Sequence, residues 1–273
     1  MSVTNPIPVN RQAHDSPANC LALLHCLADQ YPGDMVAGQH SEAERIAFNI
    51  ALAFDSLPKR AAGELSIADL GGGVGMFSLG CAAVGAKRSV LIDDFNDAVN
   101  HRVGPAALDL HRHYGVEVVS RDVVAQGIAD IPGSFDIVTS FDSMEHWHHS
   151  PKKLFGEMYR KLNPGGVFVL GVPNCVNLRK RMTALLGSNK WSSMDEWYEQ
   201  PVFRGHVREP DVADLRYIAR SIGLDVVRIY GRNWQGYMSS SPLMRAITRL
   251  LDAPMRLRPS LCSDLYLVAR KPE

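Results

Sequence analysis

The sequence predicts an α/β fold, a seven-stranded and mostly parallel sheet with helices on both faces, and three observations carry that expectation. From Ser66 onward, short apolar runs of strand length alternate with stretches of helical periodicity, the pattern of a parallel sheet covered on both sides. A glycine-rich loop follows the first apolar run. Acidic residues follow the second and third, at the strand ends where open α/β sheets bind ligands. The architecture expected is therefore Rossmann-like, with N-terminal helices ahead of the sheet and two lid-like insertions late in the chain.

Taken in order, residues 1–17 are polar, carry three prolines and lack periodicity, so they read as a flexible arm. Residues 18–60 form N-terminal helices, over 18–30 and 41–57, with Ser41 and Glu44 spaced as a capping box. Residues 61–273 form the main domain. Its strands are expected at 66–70, 89–92, 116–119, 135–141, 167–172, 224–230 and 265–269. Helices are expected at 75–84, 97–113, 152–162 and 211–222. Insertions at about 173–209 and 231–264 break the alternation; they hold Trp191, Trp197, Trp234 and Tyr237 and are expected to cover the carboxyl edge of the sheet.

Composition narrows the function. Lys plus Arg equals Asp plus Glu at 29 each, so no net field draws the chain to nucleic acid. At 46% hydrophobic and 21% charged the chain can bury a core. Five cysteines without zinc or CxxC spacing read as reduced thiols of a cytoplasmic protein. The first residues lack the basic-then-apolar pattern of a signal peptide and no apolar run approaches about 20 residues, so neither a signal peptide nor a transmembrane segment is expected. Arginines at near-helical spacing, at 179 and 181 and at 245, 249, 256 and 258, leave open a solvated face, a phosphate-bearing acceptor or a peripheral membrane contact. Oligomeric state is not encoded in any readable pattern.

The chemistry gathers around Ile67-Ala68-Asp69-Leu70-Gly71-Gly72-Gly73-Val74-Gly75. A sharp turn that lets backbone approach a ligand needs residues without side chains. A dinucleotide fingerprint sets its third glycine three residues after the second. Gly71, Gly73 and Gly75 are instead two apart and follow Asp69, which favours a ligand whose charged part is an amino acid. The second strand ends in Asp93-Asp94, where an acid can accept from ribose hydroxyls, or where either residue can cap the next helix. The third ends in Arg121-Asp122, within reach of an adenine amine.

These acids, together with Phe135-Asp136-Ile137-Val138 leading to Ser143-Met144-Glu145-His146 and Asn163-Pro164-Gly165-Gly166, resemble the class I S-adenosylmethionine-dependent methyltransferases. The likeness is to the small-molecule and sugar methyltransferase group with a ubiquinone-type domain, and it spans about residues 66–170. It implies S-adenosyl-L-methionine as cofactor, with Asp69, Gly71, Gly73 and Gly75 around its methionine part. Asp93 or Asp94 would hold the ribose and Asp122 the adenine. Phe141, Asp142 and Ser143 would close near the sulfur.

Removing a proton from a hydroxyl acceptor suits histidine. His146, His148 and His149 follow the fourth strand, and His206 ends the first insertion; His146, His149 and His206 are the base candidates, each also readable as structural. No metal is expected, because no carboxylate stands at ligand spacing to this cluster. The function expected is methylation of a small molecule, a sugar, glycan precursor or natural product, at a hydroxyl, with no nucleic-acid partner. The alternatives are a nicotinamide-dependent oxidoreductase or epimerase and a non-catalytic cofactor-binding module.

Overall fold

The computed structural model describes residues 17–96, 104–188 and 192–273. The chain opens with α1 (Pro17–Ala28) and α2 (Val36–Asp55), packed on each other, then runs β1 (Ser66–Leu70), α3 (Met76–Ala83), β2 (Arg88–Asp93), α4 (Pro105–His113), β3 (Val116–Ser120) and α5 (Val123–Gln126). There follow β4 (Phe135–Phe141), a 3-10 turn Met144–His146, α6 (Lys152–Lys161), β5 (Leu162–Pro173), α7 (Leu178–Leu185) and α8 (Met194–Tyr198). The chain closes with α9 (Val212–Ile222), β6 (Asp225–Arg232), α10 (Trp234–Tyr237), α11 (Pro242–Arg256) and β7 (Asp264–Arg270). Most expected strands and helices are present within a few residues of their ends; the helix expected from 97 begins at Pro105, after the extended Gly104, and β5 starts five residues before its expected first residue, at Leu162 rather than 167.

The seven strands form one sheet in the order β3-β2-β1-β4-β5-β7-β6. β1 to β5 pair in parallel, while β7 lies antiparallel between β5 and β6. The architecture is Rossmann-like, as expected, and its register is what positions the site. Leu70 sits opposite Ile92, and Asp69 opposite both Leu91 and Thr139, so the loops leaving β1, β2 and β4 open on one edge.

Side chains alternate across the sheet as the period-2 pattern dictates. Ile67, Leu91, Ile137, Val167 and Tyr266 face one core with Leu24, Leu27 and Ile50 of the N-terminal helices. Ala68, Leu70, Val90, Ile92, Val138 and Phe168 face the other, with Leu154 and Met158 of α6 and Leu215 of α9. Each fully buried aliphatic side chain in these layers contributes roughly 1.5–3 kcal/mol. Asp211 caps α9, its carboxylate accepting from Ala213 N at 2.7 Å and Asp214 N at 2.9 Å.

Two expectations are corrected. Ser41 and Glu44 are not a capping box, because α2 begins at Val36, on a turn in which Met35 N donates to Pro32 O, and Ser41 lies inside the helix donating to Gly38 O at 2.7 Å. The second insertion does not reach the cleft at the sheet edge: Trp234 packs on Phe48 of α2, with ring centroids 5.8 Å apart, and α11 lies along β6. The arm up to Ser16, residues 97–103 of the expected fourth helix, and Trp191 lie outside the described residues.

Candidate active site

At the carboxyl edge of β1, β2 and β4 lies a cleft of about 540 Å³, lined by Gly71, Gly73, Asp93, Asp94, Asp122, Asp142, Ser143, His146 and His149, with Trp147, His148 and Arg204 among the others. Nine of the thirteen residues singled out in the sequence thus share one concavity. Asp69, Gly75, Phe141 and His206 do not line it.

The glycine loop takes positive φ at Gly71 (+68°), Gly73 (+55°) and Gly75 (+77°), a region side chains other than glycine's rarely occupy. At Gly71 a Cβ would fall 1.9 Å from Ser143 Oγ, while at Gly73 the added atom meets nothing within 4 Å and would project into open space. Asp93 supports the loop from β2: its Oδ2 accepts from Gly73 N at 2.6 Å and its Oδ1 from Asp94 N at 2.7 Å. Asp94 makes a local turn, accepting from Asn96 N at 3.0 Å. Asp122 caps α5, accepting from Val124 N at 2.9 Å and Ala125 N at 3.0 Å.

Asp69 lies beneath the loop rather than in the cleft. It is buried, and its carboxylate accepts from Thr139 Oγ1 at 2.7 Å and Ser78 Oγ at 3.3 Å. Burial pushes its carboxyl up to about 7, against those two hydrogen bonds. Phe141 likewise packs inward, edge-on to Phe77 with centroids 5.0 Å apart. Gly75 opens α3 over the buried His111, whose Nδ1 donates to Ala107 O at 2.6 Å.

The segment after β4 is the tensest part of the edge. Asp142 has φ +48°, the one positive value at a non-glycine residue among those described. It is held by an ion pair with Arg45 of α2, which also meets Glu42 at 2.5 Å. Burial raises the Asp142 carboxyl, and Arg45 opposes that rise. Ser143 Oγ accepts from Trp147 Nε1 at 3.1 Å.

Beyond it, the 3-10 turn Met144–His146 is stitched to the first insertion by Val207 N donating to Glu145 O at 2.7 Å. That bond seats His206 against His146, ring centroids 4.8 Å apart. Glu145 is buried beside them, its carboxyl pushed up to about 9 by burial and by Asp142. Behind His206 stands Glu209, which accepts from His206 Nδ1 at 2.7 Å and pairs with Lys180. Burial would raise Glu209, yet the hydrogen bonds from His206 and Lys180 hold it below the ordinary carboxylate range.

A protein-family model for a methyltransferase domain matches residues 39–229, a stretch that contains the glycine loop and the acids described above. The chain belongs to this methyltransferase family. Its methyl donor is S-adenosylmethionine, and neither the dinucleotide-dependent nor the non-catalytic alternative stands beside that match. No curated relative matches the sequence. Among solved structures, an S-adenosylmethionine-dependent methyltransferase from Mesorhizobium loti aligns with TM-score 0.52 at 18% identity, covering 85% of this chain and 98% of its own. A methyltransferase from Archaeoglobus fulgidus gives TM-score 0.52 at 17% identity over 85% of this chain and 97% of that one. The magnesium protoporphyrin IX methyltransferase of Synechocystis, crystallised with S-adenosylhomocysteine, gives 0.51 at 15% identity and 89% coverage of each chain. At such identities these likenesses speak for the fold.

In this methyltransferase, sequence reasoning missed Arg45, Glu145 and Glu209. Arg45 meets Asp142 across 97 positions of sequence, so no local spacing could announce it. Glu145 directly precedes His146 and Glu209 lies three positions after His206, so a signal was available: acids at short spacing from histidines.

Proposed function

We propose that this methyltransferase transfers the methyl group to an oxygen nucleophile of a small molecule, a sugar, glycan precursor or natural-product hydroxyl. Cofactor and acceptor meet in the cleft at the carboxyl edge of the sheet. In this reading Gly71, Gly73 and Gly75 shape the loop against the amino-acid end of S-adenosylmethionine, and Asp69 sets that loop from below. Asp93 holds the ribose, Asp94 lines the cleft beside it and caps the local turn to Asn96, Asp122 faces the adenine, and Asp142 and Ser143, backed by Phe141, stand near the sulfur.

The observation that carries the reading is the convergence of acids and imidazoles on one cavity of about 540 Å³. Methyl transfer is an in-line displacement. The acceptor oxygen forms a bond to the methyl carbon as the carbon–sulfur bond breaks, its electron pair passes to sulfur, and S-adenosylhomocysteine leaves. The protein aligns the partners and takes the hydroxyl proton. His146 donates through Nδ1 to Arg204 O at 2.9 Å, which leaves Nε2 as a lone-pair acceptor at the rim, and His149 lines the same cavity. Next to it, a groove of about 830 Å³ between α6 and α9 shares Trp147, His148 and His149 with the cleft and offers room for the body of an acceptor.

Calorimetry with S-adenosylhomocysteine and a screen of sugar, phenol and amine acceptors with methyl-labelled donor test the reading. Binding in the micromolar range and label on a hydroxyl are expected. Label only on an amine would overturn the oxygen assignment, and heat with NAD but none with S-adenosylhomocysteine would overturn the whole.

A further inference from the structure

Two imidazoles and a buried carboxylate converge where the cleft meets the first insertion. Glu145, His146 and His206 each present one ligand atom, all within 4.8 Å of one another. Glu145 is 1% exposed, and its Oε2 has no hydrogen-bond partner. A buried carboxyl oxygen without a partner is costly, and the group either keeps its proton, as burial favours, or ionises against a cation that faces it. The cations Arg45 and Lys180 are committed to other acids, Arg45 to Glu42 and Asp142, and Lys180 to Glu209.

Both histidines are also prepared as ligands. His146 Nδ1 faces Arg204 O at 2.9 Å and His206 Nδ1 faces Glu209 Oε1 at 2.7 Å. Carbonyl and carboxylate only accept, so both Nδ1 atoms carry the proton and both Nε2 atoms keep their lone pairs. A histidine whose far nitrogen donates to a carboxylate or carbonyl is the usual support behind metal-bound imidazole. The expectation of no metal rested on sequence spacing; it is the pairing of Val207 N with Glu145 O that completes the set.

We infer that Glu145, His146 and His206 bind one divalent first-row transition ion at the rim of the cofactor cleft. Two nitrogen donors and one carboxylate suit Zn²⁺, Fe²⁺ or Co²⁺ better than Mg²⁺ or Ca²⁺, which prefer oxygen. Ligand distances of about 2.0–2.2 Å require the three side chains to draw in from their spread of up to 4.8 Å. Three protein ligands leave a coordination position free. On the reading of the cleft given above, that position takes the acceptor oxygen, lowers its pKa and fixes it before the methyl group. His146 is then a ligand, and His149 is the cleft imidazole left to take the proton.

Titration of the EDTA-stripped full chain with Co²⁺, followed by visible absorption and calorimetry, tests the site without cofactor or acceptor. One equivalent is expected to bind, with the bands of a nitrogen- and oxygen-ligated ion, and Zn²⁺ is expected to displace it. His206→Ala and Glu145→Gln should each weaken binding at least ~100-fold, and Glu209→Gln, behind the ligand, about 10- to 100-fold. Because His206 lies outside the cleft lining, His206→Ala should bind S-adenosylhomocysteine within about twofold of wild type, which also reports that it is folded. Absence of a saturable equivalent in the wild-type chain, or binding that survives both His206→Ala and Glu145→Gln, overturns the inference. Metal binding without S-adenosylhomocysteine binding would sink the functional reading and leave the metal site standing.

Discussion

On the proposed reading Asp93 is the residue on which the cofactor edge turns, because its carboxylate both accepts from Gly73 N at 2.6 Å and lines the cleft. Asp93→Ala should weaken S-adenosylhomocysteine binding by about 2 kcal/mol or more, through lost charge-assisted hydrogen bonds and a slackened loop. Asp94→Ala, which breaks the turn to Asn96 N, should cost less than about 0.5 kcal/mol. Calorimetry that ranks the two in the opposite order would move the ribose to Asp94. Gly73 gives a second residue-scale test. Its φ of +55° opposes any side chain and its missing Cβ faces open space, so Gly73→Val should abolish cofactor binding while the cooperative thermal transition persists. Normal binding by that variant would place the cofactor elsewhere.

Elements contribute unequally to the site. α2 does more than cover the sheet, since Arg45 reaches across to neutralise Asp142 at a left-handed backbone position. Arg45→Ala leaves two acids facing each other without a cation, and should lower stability by on the order of 2–3 kcal/mol and cofactor affinity along with it. A stability unchanged in urea titration would mean that Asp142 finds another partner. The first insertion is the opposite case. No residue of α7 or α8 is buried, and Leu185, Leu186 and Trp197 stand in solvent, so little holds these helices down. Hydrogen exchange should find residues 178–188 and 192–203 among the least protected of the described parts, with protection rising when cofactor and acceptor bind together. Protection equal to that of β4 and β5 in the free protein would contradict this.

On the scale of the whole molecule, buried acids make stability depend on pH. Asp69 and Asp264 are each pushed up to about 7 by burial, against an ordinary value of 3.8. Between those values the native state holds protons that the unfolded chain has released, so their contribution to stability falls as pH rises and is lost by about pH 7. His111, lowered by burial, acts in the opposite sense, adding stability as pH rises toward its unfolded value. The acids are therefore read by difference. Relative to wild type, Asp69→Asn should gain up to about 4 kcal/mol between about pH 4 and pH 8, because each tenfold change in proton affinity is worth about 1.4 kcal/mol. Urea unfolding at several pH values measures it, and a pH-independent difference between variant and wild type would show that Asp69 titrates normally.

By itself the sequence determined the sheet and its helices and marked the loop and acids proposed here to hold the cofactor, because each of those is written in short-range order. Strand alternation places Ile67 and Ala68 on opposite faces, Gly71, Gly73 and Gly75 mark backbone that must turn back on itself, and Asp93 and Asp122 mark where strands end. Only the tertiary structure decided which groups face one another across long loops. Local spacing could not pair Arg45 with Asp142, sink Asp69 beneath the loop, draw His206 onto Glu145 and His146, or carry Trp234 away to Phe48. Such contacts follow from the register that brings β1, β2 and β4 to one edge and from the seam between Glu145 and Val207. Burial then does what sequence spacing cannot, changing the charge a carboxylate carries and leaving Glu145 Oε2 without a hydrogen-bond partner.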